Sequence, residues 1–237
     1  MAISKGEKGT WEGASVFTPN ILVANKKYYL FYTGTSRPYS KKPFIPDSKI
    51  GLAISDSPDG PWKKINDNPV ITNSKNNDDF DSHLIDDACL IIREGKYWLY
   101  YKGRQQGKSP KETKMGVAIA DKPEGPYIKH QDNPVIRGNH EVVIFPHGKG
   151  VGAMIGTTGP KNLIKTIQYS EDGIHFHKTH QTTSSPHAAG LYRPEAFTES
   201  GKGNLFEWGV QIGRKKGFLP FIQRFDIMTT HANTNNH

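Results

Sequence analysis

The feature that most restricts the fold is an internal repeat. Lys27-Tyr28-Tyr29-Leu30-Phe31-Tyr32-Thr33-Gly34 recurs 69 positions later as Lys96-Tyr97-Trp98-Leu99-Tyr100-Tyr101-Lys102-Gly103. Ile50-Gly51-Leu52-Ala53-Ile54-Ser55-Asp56 recurs 65 positions later as Met115-Gly116-Val117-Ala118-Ile119-Ala120-Asp121. The match continues through Asp59-Gly60-Pro61-Trp62 and Glu124-Gly125-Pro126-Tyr127, and ends on two Asp-Asn-Pro-Val-Ile segments, 67–71 and 132–136. A shorter third copy runs from Ile167 to Phe176. A whole unit that repeats at this period is a supersecondary module that buries its faces against copies of itself.

Each copy reads as four strands. The first is a mostly apolar run, Ile21 to Ala24 or Cys89 to Ile92. A tight turn at Asn25-Lys26 or Glu94-Gly95 leads to an aromatic-rich second strand. The third is Ile50 to Ser55 or Met115 to Ala120, and a Pro/Asp/Gly turn leads to a fourth starting at Trp62 or Tyr127. Short β-branched and aromatic runs bounded by Gly, Pro, Asp and Asn are strand signals, and no stretch shows a helical period. The expected fold is all-β, a β-propeller of four-stranded blades, whose radial arrangement protects sheet edges. A β-sandwich with coincidentally similar hairpins is the alternative. Four blades are visible, at about 12–75, 76–137, 138–187 and 188–228, in one domain followed by a disordered tail at 229–237.

Composition narrows the class. Twenty-five aromatic residues in 237 are too many for a disordered chain. No apolar run approaches a membrane span, and the first 13 residues lack the apolar stretch of a signal peptide. As written, the chain therefore reads as cytoplasmic, or as exported if its start is truncated. Cys89 is the single cysteine, which excludes a disulfide framework and a cysteine zinc site. Its apolar neighbours mark it as a buried small hydrophobe. The net charge of +8 admits an acidic partner. No nucleic-acid-binding signature accompanies it, so neither nucleic acid nor membrane is expected as a partner.

In a propeller the first strand of each blade lies against the central channel, and the starts of these strands converge on one face. The segments there are Thr18-Pro19-Asn20, Asp86-Asp87-Ala88, His140-Glu141-Val142 and Arg193-Pro194-Glu195. Converging Asp, Glu and His suit acid–base chemistry, in which one group donates a proton and another activates water. A solvated polar pore is the bland alternative. The loops between second and third strands open on the same face. Arg37 to Pro43 and Arg104 to Lys111 are both basic, which suggests a positive rim for an anionic glycan. Trp11, ahead of the first strand, is the best candidate platform for a sugar ring. His175, His177 and His180 mark an exposed strand face rather than a metal site. No metal ligand set and no cofactor is expected, with a structural divalent cation in the channel kept as an alternative.

Several of these segments resemble the five-bladed propeller glycoside hydrolases of the broad family 43 type, and in particular family 117, the anhydro-galactosidases acting on agar oligosaccharides. The resemblance rests on Lys96 to Gly103, Gly116 to Tyr127, Asn139-His140-Glu141-Val142, Thr166-Ile167-Gln168 and Pro186-His187-Ala188-Ala189-Gly190-Leu191-Tyr192-Arg193. It covers about residues 12 to 228. It implies an inverting exo-hydrolase with an Asp base, a second Asp that orients or tunes the site, and a His or Glu acid. Asp87 takes the place of the second Asp, and His140 or Glu141 that of the acid. Substrate contacts would fall near Thr18, Asn20, Gln168, His187 and Arg193. The blade that carries the base in that family has no counterpart in this chain. The chain would then be a truncated product, a fragment, or a protein closed by a partner chain.

Three functions follow. The first is a glycosidase that removes an α-linked anhydro-galactose or related sugar, with Asp87, His140 and Glu141 central and an oligosaccharide, neutral or anionic, as partner. The second is a non-catalytic glycan-binding propeller. The third is a glycoside phosphorylase whose phosphate is held on the basic rim. A homo-oligomer is compatible with each.

Overall fold

The computed structural model describes residues 2–38, 48–66, 68–137, 142–156, 158–182, 190–191 and 208–226. Sheet I holds β1 (Ser15–Ala24), β2 (Lys27–Thr35), β3 (Lys49–Ser55) and β4 (Lys63–Lys64), and sheet II holds β5 (Leu84–Arg93), β6 (Lys96–Arg104), β7 (Lys114–Ala120) and β8 (Ile128–Lys129). Sheet III holds β9 (Val142–His147), β10 (Gly150–Ile155), β11 (Thr166–Ser170) and β12 (His177–Gln181). Sheet IV has three strands among the described residues, β13 (Gly190–Leu191), β14 (Trp208–Gly213) and β15 (Phe221–Asp226). Every pairing is antiparallel and every sheet runs in chain order. Among the described residues the only helical element is one 3₁₀ turn, Pro110–Glu112.

The hairpins close as the turn residues dictate. Asn25 and Lys26 have φ of 51° and 58°, and Glu94 and Gly95 have 53° and 73°. Positive φ at both central residues gives a turn whose twist matches that of the strands it joins. Four successive meanders then pack face to face. The innermost strands run in the order β1, β5, β9, β13, each against the next. This is the radial arrangement of a propeller.

Sheet II shows why its strands read as unbroken apolar runs. Leu90, Ile92, Tyr97, Leu99, Tyr101, Ala118 and Ala120 face sheet I, in one core with Leu22, Phe31 and Leu52. The alternate residues Cys89, Ile91, Trp98, Tyr100 and Val117 face sheet III, in a second core with Ile144, Ala153 and Ile155. Side chains still alternate with a period of two, but both faces are dry, so the polar half of the pattern disappears. Cys89 is buried as its neighbours suggested.

Both repeats carry a fastener beyond the third strand. Asn68 Nδ2 donates to Leu52 O and its Oδ1 accepts from Leu52 N, at 2.9 and 2.8 Å. Asn133 makes the same pair with Val117, at 3.0 and 2.8 Å. Each amide side chain thus gives the third-strand N–H an acceptor and adds a second donor to a carbonyl that Ile65 N or His130 N already reaches.

One expectation is corrected. The first strands begin at Ser15 and Leu84, well before Ile21 and Cys89. The ladder is interrupted between Phe17 and Asn20 and between Asp86 and Cys89, and then resumes. Thr18-Pro19-Asn20 and Asp86-Asp87-Ala88 therefore lie in bulges within the inner strands rather than in front of them.

Candidate functional site

The two bulges fall at equivalent positions and place Thr18 and Asp87 in the left-handed region, at φ of 48° and 49°. That region is uncommon for any residue but glycine, and more so for β-branched threonine. A bulge re-aims one side chain out of the strand's alternation, a device found beside active sites. Here it separates two adjacent carboxyls. Asp86 stays buried, while the Asp87 side chain is half-buried.

Asp86 is fully engaged. Its Oδ1 lies 2.9 Å from both Thr18 Oγ1 and Thr33 Oγ1 and accepts from the Asp87 amide at 2.7 Å. The two threonine hydroxyls are themselves 2.6 Å apart. Its Oδ2 is 3.3 Å from Lys102 Nζ. The same ammonium is 2.5 Å from Asp87 Oδ2. Lys102 is 4% exposed, and it holds its proton because the two carboxylates outweigh the burial that would strip it. Burial pushes Asp86 upward, but the Lys102 charge and the donors on Oδ1 more than reverse this and hold it below the usual carboxylate range. Burial and then the Asp86 charge push Asp87 up to about 6, against the pull of Lys102. Two neighbouring carboxyls are thus split into a fixed anion and a group that titrates near neutrality, the pattern that assigns different roles to paired acids.

The other sequence candidates fare differently. Thr18 belongs to the cluster. Asn20 joins two inner strands, its Oδ1 accepting from Leu90 N at 3.3 Å. Gln168 is buried in β11, two strands outward from β9, with no hydrogen bond to the cluster. His140, Glu141, His187, Arg193 and Glu195 lie outside the described residues, as does the tail at 229–237.

Trp11, the candidate sugar platform, packs against sheet I. Its ring stacks on Tyr32, with centroids 6.0 Å apart and planes at 18°. It also fills the space over two glycines, where a Cβ would meet it at 2.5 Å from Gly34 and 2.7 Å from Gly51. Phe80 does the same over Gly103 and Gly116 in the second repeat. The ring is therefore a packing element that each repeat supplies from the segment before its first strand. Beside it Glu12 pairs with Lys64 at 2.8 Å, as Asp81 pairs with Lys129 at 2.5 Å.

Part of the expected basic rim is accounted for. Arg104 ends β6 and is buried, and residues 39–43 lie outside the described set. His177 and His180 lie on β12, which is exposed throughout, and His175 pairs with Asp172 at 2.6 Å. Among the described residues no three His, Cys, Asp or Glu side chains are grouped to hold a metal, and no helix is long and apolar enough to cross a membrane.

Lys102 and Thr33 escaped the sequence reading. Their signal was present: at one position of the matched strand, Thr33 is replaced by Lys102 in an otherwise aromatic and apolar run. A charge in a strand buried on both faces needs a partner.

No family model matches the chain. No curated protein matches it either. Solved structures do. A family 117 glycoside hydrolase of the marine bacterium Zobellia galactanivorans is 34% identical with a TM-score of 0.82, over 95% of this chain and 64% of that one. A putative glycosidase of Bacteroides thetaiotaomicron aligns at 13% identity and TM-score 0.61, over 95% of this chain and 80% of its own. An endo-arabinase of the same organism aligns at 14% and 0.56, over 96% and 80%. The chain spans just under two thirds of the length of the family 117 enzyme. It has the β-propeller fold of the family 117 and family 43-like glycoside hydrolases.

Proposed function

We propose that this chain is the propeller of a glycoside hydrolase that releases an α-linked anhydro-galactose or related sugar from the end of an oligosaccharide, with inversion. The observation that carries the reading is the split carboxyl pair at the β5 bulge. Asp86 and Asp87 share the buried Lys102 ammonium, and Asp87, the more exposed of the two carboxyls, is pushed up to about 6 by burial and by the Asp86 charge. In this reading Asp87 meets the sugar and tunes the charge at the reacting carbon. His140 or Glu141 protonates the departing oxygen, and a further carboxylate activates the water that attacks from the opposite face. The likeness to the family 117 enzyme supports the reading.

Agar- and arabinan-derived oligosaccharides test it, with release of a terminal sugar followed by chromatography. Asp87→Asn should lower turnover by about 10²-fold or more while the melting curve stays cooperative. Unchanged turnover in that variant would remove Asp87 from the chemistry. A second reading is a propeller that binds glycans without cleaving them. Saturable binding with no product would select it.

A further inference from the structure

A second feature on the same face has no part in that chemistry. A cavity of about 350 Å³ opens where sheets II and III meet, between the β6–β7 and β10–β11 loops. Its apolar lining comes from Phe80, Pro160 and Leu163. Its polar lining is dominated by four cations, Lys108, Lys111, Lys114 and Arg137. Glu112 is the single acidic side chain among the described lining residues.

That acid is already committed. Glu112 Oε2 accepts from Ser109 N and Ser109 Oγ, both at 3.0 Å, and its Oε1 lies 3.4 Å from Lys108. Those donors hold it below the usual carboxylate range, so it stays an anion and offsets Lys108 alone. Lys111, Lys114 and Arg137 have no carboxylate partner among the described residues. The loop that carries Lys111 and leads into Lys114 is braced by the Ser109–Glu112 bonds and by Thr113 Oγ1 donating to Pro110 O at 2.8 Å, and Arg137 reaches the cavity from beyond β8. Three unspent cations over a concave apolar floor are the elements of a site for a partly apolar, anionic group.

The position ties the cavity to the glycan. Lys114 pairs with Gly103, which pairs with Ile85, the residue before Asp86. Two inter-strand steps separate Lys114 from the inner strand, about 10 Å. A glycan with one end at Asp87 would lay its next units outward across this face.

We propose that the cavity binds an anionic substituent of the substrate, a sulfate ester or a uronate carboxylate, on a sugar beyond the one that is cleaved. This rests on the glycosidase reading and names the substrate class it serves. Apolar walls take the sugar body, Arg137 offers a planar fork to the oxyanion, and Lys111 and Lys114 supply point charges.

The test is calorimetric titration of the full chain with three galactan tetrasaccharides: neutral, sulfated and uronate-bearing. One or both charged ligands should bind roughly tenfold or more tightly than the neutral one, as one charge-assisted contact requires. The gap should narrow as salt rises. Lys111→Gln, Lys114→Gln and Arg137→Gln combined should erase it. These side chains are exposed or half-buried, so folding should survive, and a melting curve checks this. Lys27→Gln with Lys63→Gln, on sheet I and outside the cavity lining, should leave the gap intact. Which charged ligand wins identifies the anion. Equal affinity for charged and neutral ligands, or a gap that persists in the triple variant, overturns the proposal. If the neutral tetrasaccharide is nevertheless cleaved, the glycosidase reading stands without it. If nothing binds and nothing is cleaved, both fall.

Discussion

Thr33 and Lys102 occupy the same place in successive repeats, and both reach Asp86. Thr33 Oγ1 lies 2.9 Å from its Oδ1 and Lys102 Nζ 3.3 Å from its Oδ2. One copy of the module thus supplies a hydroxyl and the other a cation to a single buried carboxylate at their junction. The repeat builds the scaffold twice, and the site arises where the copies differ.

Lys102→Met should be costly. It strands Asp86 and Asp87 together without a counter-charge, and breaking a buried pair from one side costs about 3–5 kcal/mol. Urea unfolding at neutral pH measures this. The deficit should shrink as the pH falls and the carboxyls take up protons. A loss that stays constant down to acid pH would mean that Lys102 acts through packing alone.

Asp87 gives a pH dependence of opposite sign to that of an ordinary salt-bridged acid. Its folded pKa of about 6 lies above its unfolded value. The folded state therefore binds more protons than the unfolded one between roughly pH 4 and 6. The stability tied to this group is present below the unfolded pKa and lost as the pH rises through about 6. Asp87→Asn should remove that decline, so the variant gains on the wild type as the pH rises across this window. Carboxyl NMR titration should find Asp87 near 6 and Asp86 depressed. Two ordinary carboxylates would refute the split pair.

Trp11 separates packing from recognition. If its ring fills the space over Gly34 and Gly51, Trp11→Ala should cost ~2 kcal/mol or more and leave glycan affinity unchanged. Gly51→Ala should cost about 1–3 kcal/mol, because the new methyl group meets both Trp11 and Tyr32. Weakened sugar binding by Trp11→Ala with undiminished stability would restore the platform role.

The repeat, the strand content and the turns were legible because each is written in neighbouring residues. Asn25-Lys26 and Glu94-Gly95 announce their hairpins locally. The bulges were not legible. Neither Thr18 nor Asp87 is a glycine, and the positive φ is imposed by pairing partners far along the chain. The packing of Trp11 was hidden for a related reason. An aromatic before a strand resembles a free platform until strand register brings Gly34 and Gly51 beneath it. The Asp86–Asp87 pair was visible as a polar segment, but ahead of an inner strand rather than within it. Lys102 was visible too, but as one letter of a matched segment, where likeness drew more notice than the one difference.

The bonds between inner strands have a consequence for how the molecule opens. Asp86, in sheet II, takes hydroxyls from Thr18 and Thr33 of sheet I, and Leu90 N donates to Asn20 across the same junction. If sheet I swings away, a buried anion loses its donors and a backbone amide loses its acceptor at once. The two sheets are therefore coupled in a single opening event. The Leu90 amide should exchange with solvent at the rate of the amides in β1, and the charge balance at Asp87 reports whether the neighbouring sheet is seated.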